Sequence, residues 1–193
     1  MIFKSYILEE NIQTINNHKI FLFYGENEGL KKEFKDKIRA HNKNNEILSF
    51  FQEEIVKNKN ILINEILNKS LFQQKKIIFI DNANDKVLEI LEESLDKIND
   101  EKIILFSDIL DKRSKLRNYL EKNKSCGIAA CYQDNEISIK KIISKRLKSY
   151  AGLTNQIVNF IIQNTGLERN KVNNELDKIT SYFKDKKIDI NKI

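Results

Sequence analysis

Two short stretches of this chain carry the residue types of a phosphate-and-magnesium site. The first, Gly25-Glu26-Asn27-Glu28-Gly29-Leu30-Lys31-Lys32, follows an apolar run that ends at Tyr24. A working phosphate-binding loop needs G-x-x-x-x-G-K-[ST]: glycines that let main-chain N–H groups cradle phosphate, a lysine for the outer phosphates and a hydroxyl for Mg²⁺. Lys31 is correctly spaced from Gly25, but the second glycine falls one place early at Gly29, Leu30 takes its position, and Lys32 stands where the hydroxyl belongs. Glu26 and Glu28 put negative charge where a polyanion would sit, and one like-charge pair at about 4 Å costs roughly 4 kcal/mol near a protein surface. The second stretch, Ile77-Ile78-Phe79-Ile80-Asp81-Asn82, ends an apolar run on a carboxylate suited to Mg²⁺. The next position, where a catalytic carboxylate would orient water, is Asn82, and an amide cannot accept a proton as a general base. Gly25, Gly29, Lys31, Asp81 and Asn82 therefore read as a degenerate nucleotide site, with no catalytic residue and no cofactor expected. The plainer reading of Asp81 is a carboxylate that caps a strand end or faces solvent. Arg113 and Arg117 read as solvated partners of Asp111 and Glu121, not as arginine fingers.

The elements that would hold these residues alternate in type. Lys19–Tyr24 is a predicted strand, and short apolar runs recur at Ile47–Phe51, Ile77–Ile80, Ile103–Phe106 and Ile128–Cys131. Near-continuous runs of this length suit strands buried on both faces, as in a parallel sheet covered by helices. Between them, residues 29–42, 60–69, 85–98 and 112–123 have helical periodicity, and strand then helix, repeated, predicts a doubly wound α/β domain. After Tyr132 the strands stop. Residues 136–150 place Ile139, Ile142, Ile143, Leu147 and Tyr150 on one helical face, with Lys141, Lys145 and Lys148 away from it. Helices over 154–164, with Thr154 as cap, and 168–183 complete a small helical part. The expected division is 1–134 for the sheet domain and 135–193 for the helical subdomain.

Composition excludes several classes. Of 193 residues, 40% are apolar and 32% charged, in alternation, which is the balance of a folded domain. No apolar run is long enough for a membrane span, and Glu9 and Glu10 lie too close behind Met1 for a secretory signal. Cys126 and Cys131, five positions apart on a predicted strand, point to opposite faces and do not pair. With only His18 and His41 as imidazoles, no metal site is expected, and a reducing cytoplasm fits best. The net charge of +6 is spread along the chain.

The order of features resembles the delta subunit of the bacterial DNA polymerase III clamp loader. The residues carrying the resemblance are Phe21-Leu22-Phe23-Tyr24-Gly25 leading to Glu28-Gly29-Leu30, then Ser70-Leu71-Phe72 ahead of the third strand. Asp111-Lys112-Arg113-Ser114-Lys115-Leu116, Ala130-Cys131-Tyr132 and Asn174-Glu175-Leu176-Asp177-Lys178 follow in the same order. The resemblance implies an AAA+-like fold that neither binds nor hydrolyses ATP and a role in DNA replication: binding and opening the sliding clamp. It places the clamp-contacting tip at Ser70, Leu71 and Phe72. Burying a Leu and a Phe is worth about 1.5–3 kcal/mol each, enough for interface hot spots. Without the resemblance, the two side chains would read as the last turn of an amphipathic helix whose inward face is Leu62, Ile63, Ile66 and Leu67. Lys69 departs from the family, some of whose members have an apolar contact there. Partners implied are the sliding clamp, the other clamp-loader subunits and primed DNA. Family members continue into a C-terminal helical collar, so a chain stopping at Ile193 is expected to be a piece lacking that collar.

Three other readings stay open at this point. Lys31, Lys32 and Asp81 would have to bind Mg-ATP in an unusual geometry for the chain to be a P-loop ATPase. A phosphoacceptor receiver domain would use Asp81, but no strand-five lysine accompanies it. A nucleic-acid module would use the stripe Lys141, Lys145 and Lys148 for phosphates, although no aromatic residues interleave with it to stack bases.

Overall fold

The computed structural model describes residues 1–68, 75–189 and 192. The chain opens with β1 (Ile2–Lys4) and α1 (Ser5–Glu10), then β2 (Ile20–Tyr24) and α2 (Glu28–His41). β3 (Glu46–Phe51), α3 (Gln52–Lys57) and α4 (Asn60–Leu67) precede β4 (Lys76–Asp81) and α5 (Leu88–Leu95). β5 (Lys102–Ser107), α6 (Lys115–Lys122) and β6 (Cys126–Ala130) complete the sheet, and α7 (Glu136–Arg146), α8 (Asn155–Thr165) and α9 (Arg169–Tyr182) follow. Two compact units result: Met1–Glu26 with Lys31–Cys131, and Asn27–Leu30 with Tyr132–Ile193.

In the first unit, the strands of the described residues form one six-stranded parallel sheet in the order β1-β6-β2-β5-β4-β3. The two-residue alternation of side chains sorts each apolar run onto two faces. Ile20, Leu22, Ile78, Ile80, Ile103, Leu105 and Ile128 join an aliphatic core with Ile55, Leu62, Ile90, Leu116 and Leu120 from α3 to α6. The alternate positions include four phenylalanines, Phe21, Phe23, Phe79 and Phe106, beside Ile77, Ile104 and Ala129. Phe23 packs on Phe21 at 4.9 Å, on Phe34 of α2 at 4.8 Å and on Phe106 at 5.5 Å, and Phe79 meets Phe106 edge-on at 5.7 Å. These offset and edge-on geometries suit the ring quadrupole, and full burial of each ring is worth about 1.5–3 kcal/mol. The expected α/β class, a parallel sheet with helices followed by a helical part, is what the chain forms.

In the second unit, Ile139, Ile143 and Leu147 pack with Ile157, Val158 and Ile161 of α8 and Val172, Leu176 and Ile179 of α9. Asn135 caps α7 in a reciprocal pairing with Ser138, and Thr154 caps α8 by accepting from the Ile157 N–H.

Several local expectations are corrected. Among the described residues the sheet has six strands, because Ile2–Lys4 forms an edge strand too short to register as an apolar run. β3 lies at the other edge and is only half-buried, so its runs of apolar residues do not signify cover on both faces. In α4, Leu67 is 59% exposed, and Ile61 is the side chain that packs beside Leu62 and Ile66. Helix α6 starts at Lys115, three residues later than its periodicity suggests, because Ser114 is its cap. Both cysteines are buried and are not bridged to each other, but Cys131 lies just beyond β6 and not within it.

Candidate functional site

The carboxyl ends of β2, β4 and β5 converge on the residues that the motifs single out. Gly25 follows β2 with φ +132°, and a Cβ there would lie 2.4 Å from the Cys131 carbonyl oxygen, so the glycine serves close main-chain packing. Its N–H points to the carbonyls of Ser107 and Asp108. Only Gly25, Glu26 and Asn27 separate β2 from α2. That is too little chain for a cradle around phosphate, because the helix begins at Glu28, before the second glycine.

Lys31 and Asp81 are both committed within the first unit. The Lys31 ammonium, on a side chain only 6% exposed, donates to the Ser107 carbonyl at 2.8 Å and lies 3.7 Å from Asp108. Asp81 neither caps its strand nor faces open solvent: both of its oxygens accept from Lys35, at 2.6 and 2.8 Å. Lys35 also sits over the Phe79 and Phe106 rings, at 5.5 and 5.2 Å from their centroids. An ammonium therefore stands against the carboxylate where a nucleotide site would hold Mg²⁺. Asn82 adopts a left-handed φ of 58°, a conformation asparagine tolerates better than most residues. Ser107 donates to the Ala83 carbonyl. Arg117 pairs with Glu121 as expected, at 2.8 Å, but is not solvated: it is 18% exposed and lies over the Tyr24 ring. Asp111 accepts from the main-chain N–H groups of Arg113 and Ser114, so its role is to shape the turn.

Asn27–Leu30 belong to the second unit. Asn27 caps α2, its side-chain oxygen accepting from the Leu30 N–H at 3.0 Å, and its amide donates to Asp134 at 2.8 Å and to the Tyr132 carbonyl at 3.0 Å. The dipole-rich helix start that would hold phosphate is thus taken by an amide. Asp134 in turn receives a two-pronged bond from Arg169, both contacts 2.8 Å, and a third donor in Ser138 at 2.7 Å. Burial pushes the Asp134 carboxyl up, but the bonds from Arg169, Asn27 and Ser138 outweigh it and hold the group below the usual range. Gly29 has a packing reason: a Cβ there would lie 2.8 Å from the Cβ of Arg169.

Gly25, Lys31, Asp81 and Asn82 all belong to the sheet unit, whereas Gly29 belongs to the Asn27–Asp134–Arg169 cluster. Lys35, Asn27, Asp134 and Arg169 escaped the motif reading. Lys35 had a signal, being one helical turn from Lys31 on the same face. Asp134 and Arg169 are 35 positions apart, and no local spacing joins them. Lys141 and Lys145 are exposed on α7, but Lys148 lies past its end, so the three do not form one helical stripe. Ser70, Leu71 and Phe72, with Lys69, lie outside the described residues. No described helix is long and apolar enough to cross a membrane.

Fold and site together define a parallel-sheet α/β protein that keeps the outline of a nucleotide site but answers its charges with its own side chains. Residues 21–131 match the family described as DNA polymerase III, delta subunit, over more than half of the chain, and the chain belongs to that family. Among solved structures it is similar to the Bacillus subtilis DNA clamp loader delta protein (YqeN), with a TM-score of 0.67 at 14% identity. That similarity covers 95% of this chain and 59% of the Bacillus chain, so this chain spans less than two thirds of that protein's length. At such identity the likeness establishes a shared fold. No curated protein matches the sequence.

Proposed function

We propose that this chain acts in DNA replication as the clamp-contacting part of a clamp loader, binding and opening a sliding clamp without turning over ATP of its own. The observation that carries this reading is the Lys35–Asp81 pair, bonded through both carboxylate oxygens. To admit Mg²⁺, Asp81 would have to release an ammonium held by charge-assisted bonds, each worth about 1.5–3 kcal/mol. Lys31 would likewise have to leave the Ser107 carbonyl to reach a phosphate. Lys32 offers no hydroxyl in return. Family membership, and the similarity of fold to a clamp loader delta protein, support the same reading.

On this reading, residues 1–134 are an AAA+-like domain with a degenerate loop, residues 135–193 are its helical lid, and the protein works in the cytoplasm. Leu71 and Phe72, flanked by Ser70, enter a hydrophobic cleft of the clamp. Tighter binding to the open ring than to the closed one shifts the ring population without any chemistry in this subunit. Other loader subunits govern when the tip is exposed, and primed DNA is what the assembly loads.

Titrating the organism's own sliding clamp against the full chain tests the assignment. Leu71→Ala with Phe72→Ala is expected to weaken binding by on the order of a hundredfold while the circular dichroism spectrum stays native. Unchanged affinity rejects the tip. Tight Mg²⁺-dependent ATP binding in the same calorimeter would favour an ATPase instead.

A further inference from the structure

At the opposite edge of the sheet, where strands begin, a polar groove of about 350 Å³ opens between Asn45 ahead of β3, Lys75 and Lys76 at β4, Asn99 and Asp100 ahead of β5, and Lys102 in it. Lys76 is neutralised by Glu65 at 3.0 Å. Lys102 is not neutralised in this way. Its ammonium donates to the main-chain carbonyls of Asn16 and His18, and among the described residues it makes no ion pair with a carboxylate. Lys75 reaches only Asp100, at 4.0 Å, with both side chains largely exposed. The groove therefore gathers two cations with spare N–H capacity beside carboxamide donors.

We propose that this groove is a binding site for a phosphate group, held by Lys75 and Lys102 and by the carboxamides of Asn45 and Asn99. A tetrahedral oxyanion has acceptors pointing in several directions at once, which matches ammonium and amide donors gathered from the starts of three strands, β3, β4 and β5, each amide keeping one N–H beyond its bond to Asn42 or to the Lys97 carbonyl. The electrostatics agree. Burial, and then the charge of Lys75, hold the Lys102 ammonium below its ordinary pKa, and an anion between them would relieve both. Asp100 is a built-in competitor for Lys75, so it should weaken the site. Phosphate binding here requires neither the nucleotide-site outline nor the assignment of the clamp-contacting tip.

The test uses the full chain and follows the Lys102 ε-carbon resonance and binding isotherms with two probes, inorganic phosphate and a short DNA duplex. Phosphate should raise the pKa of Lys102. Lys75→Met should weaken binding roughly tenfold, by loss of one charge-assisted bond. Asp100→Asn should tighten it roughly two- to fivefold, by removing an exposed ion pair. Both positions are exposed, so these variants keep the fold, and Lys184→Met, an equal loss of charge at an exposed position outside the groove, should leave binding unchanged and so separates a site from general loss of charge. Saturable binding of inorganic phosphate assigns the groove to the free anion, and binding of the duplex alone assigns it to a nucleic-acid backbone; both uphold the site. A Lys102 signal unmoved by either probe, or affinities indifferent to both substitutions, overturns it.

Discussion

Asp134 and Arg169 are only 5% and 2% exposed, and a charge so deeply buried is tolerable only when its neighbours complete its hydrogen bonds. Asn27, Ser138 and Arg169 do so for Asp134. Removing one partner leaves the other charge bare. Arg169→Met is accordingly expected to cost about 3–5 kcal/mol in urea unfolding, and adding Asp134→Leu should recover much of that loss. A single-variant loss below about 1 kcal/mol would mean that the pair is solvated and not a buried clasp. Sequence reading missed this pair because its partners are remote in the chain, while it found Lys31 and Asp81 because their motifs are local. Even there it named the residues and not their partners: Lys35 against Asp81 is a fact of tertiary contact.

Helix α6 illustrates how one element is started by another. Asp85, ahead of α5, accepts from the Ser114 hydroxyl at 2.6 Å and from the N–H groups of Leu116 and Lys115 at 3.0 and 3.1 Å. Burial raises the Asp85 carboxyl, yet these bonds prevail and hold it below its ordinary value. Asp85→Ala should cost about 1–2 kcal/mol, as loss of a helix cap does. Amide exchange at the start of α6 should quicken by about tenfold, with α8 unaffected. Equal exchange in the variant and the unaltered chain would show that Ser114 caps alone. The boundaries of α6 were misread for the same reason: helical period over 112–123 does not reveal a carboxylate arriving from Asp85. The long elements were legible, since buried strands read as unbroken apolar runs and α7 to α9 as periodic ones. Short pieces such as β1 and α3, of three and six residues, carry too few positions to show any period.

The stability of the whole molecule should fall in two steps as it is acidified. The His18 ring is 7% exposed, and its Nδ1 has no hydrogen-bond partner among the described residues. Burial, then the chain's amino terminus and Lys102, push its pKa below the ordinary 6.5. The unfolded chain therefore takes up this proton first, so stability declines as pH falls below about 6.5 toward the lowered folded value. Asp134 and Asp85 are held below 3.8, so their contribution, complete above that value, is lost as pH falls from 3.8 through their folded values. Denaturant midpoints measured across pH should show both steps, and His18→Leu should abolish the upper one alone. An unchanged upper step in that variant would assign it elsewhere. Composition, apolar runs and helical period were enough to define a parallel α/β sheet followed by helices, because burial on both faces of a strand and on one face of a helix is written in consecutive residues. The ordered motifs were likewise enough to point to the delta subunit family. What fills the candidate site was settled only by folding. Lys35 reaches Asp81 across 46 positions and Asn27 reaches Asp134 across 107, and contacts between side chains so far apart in the chain leave no periodic trace for a reader of residues to find.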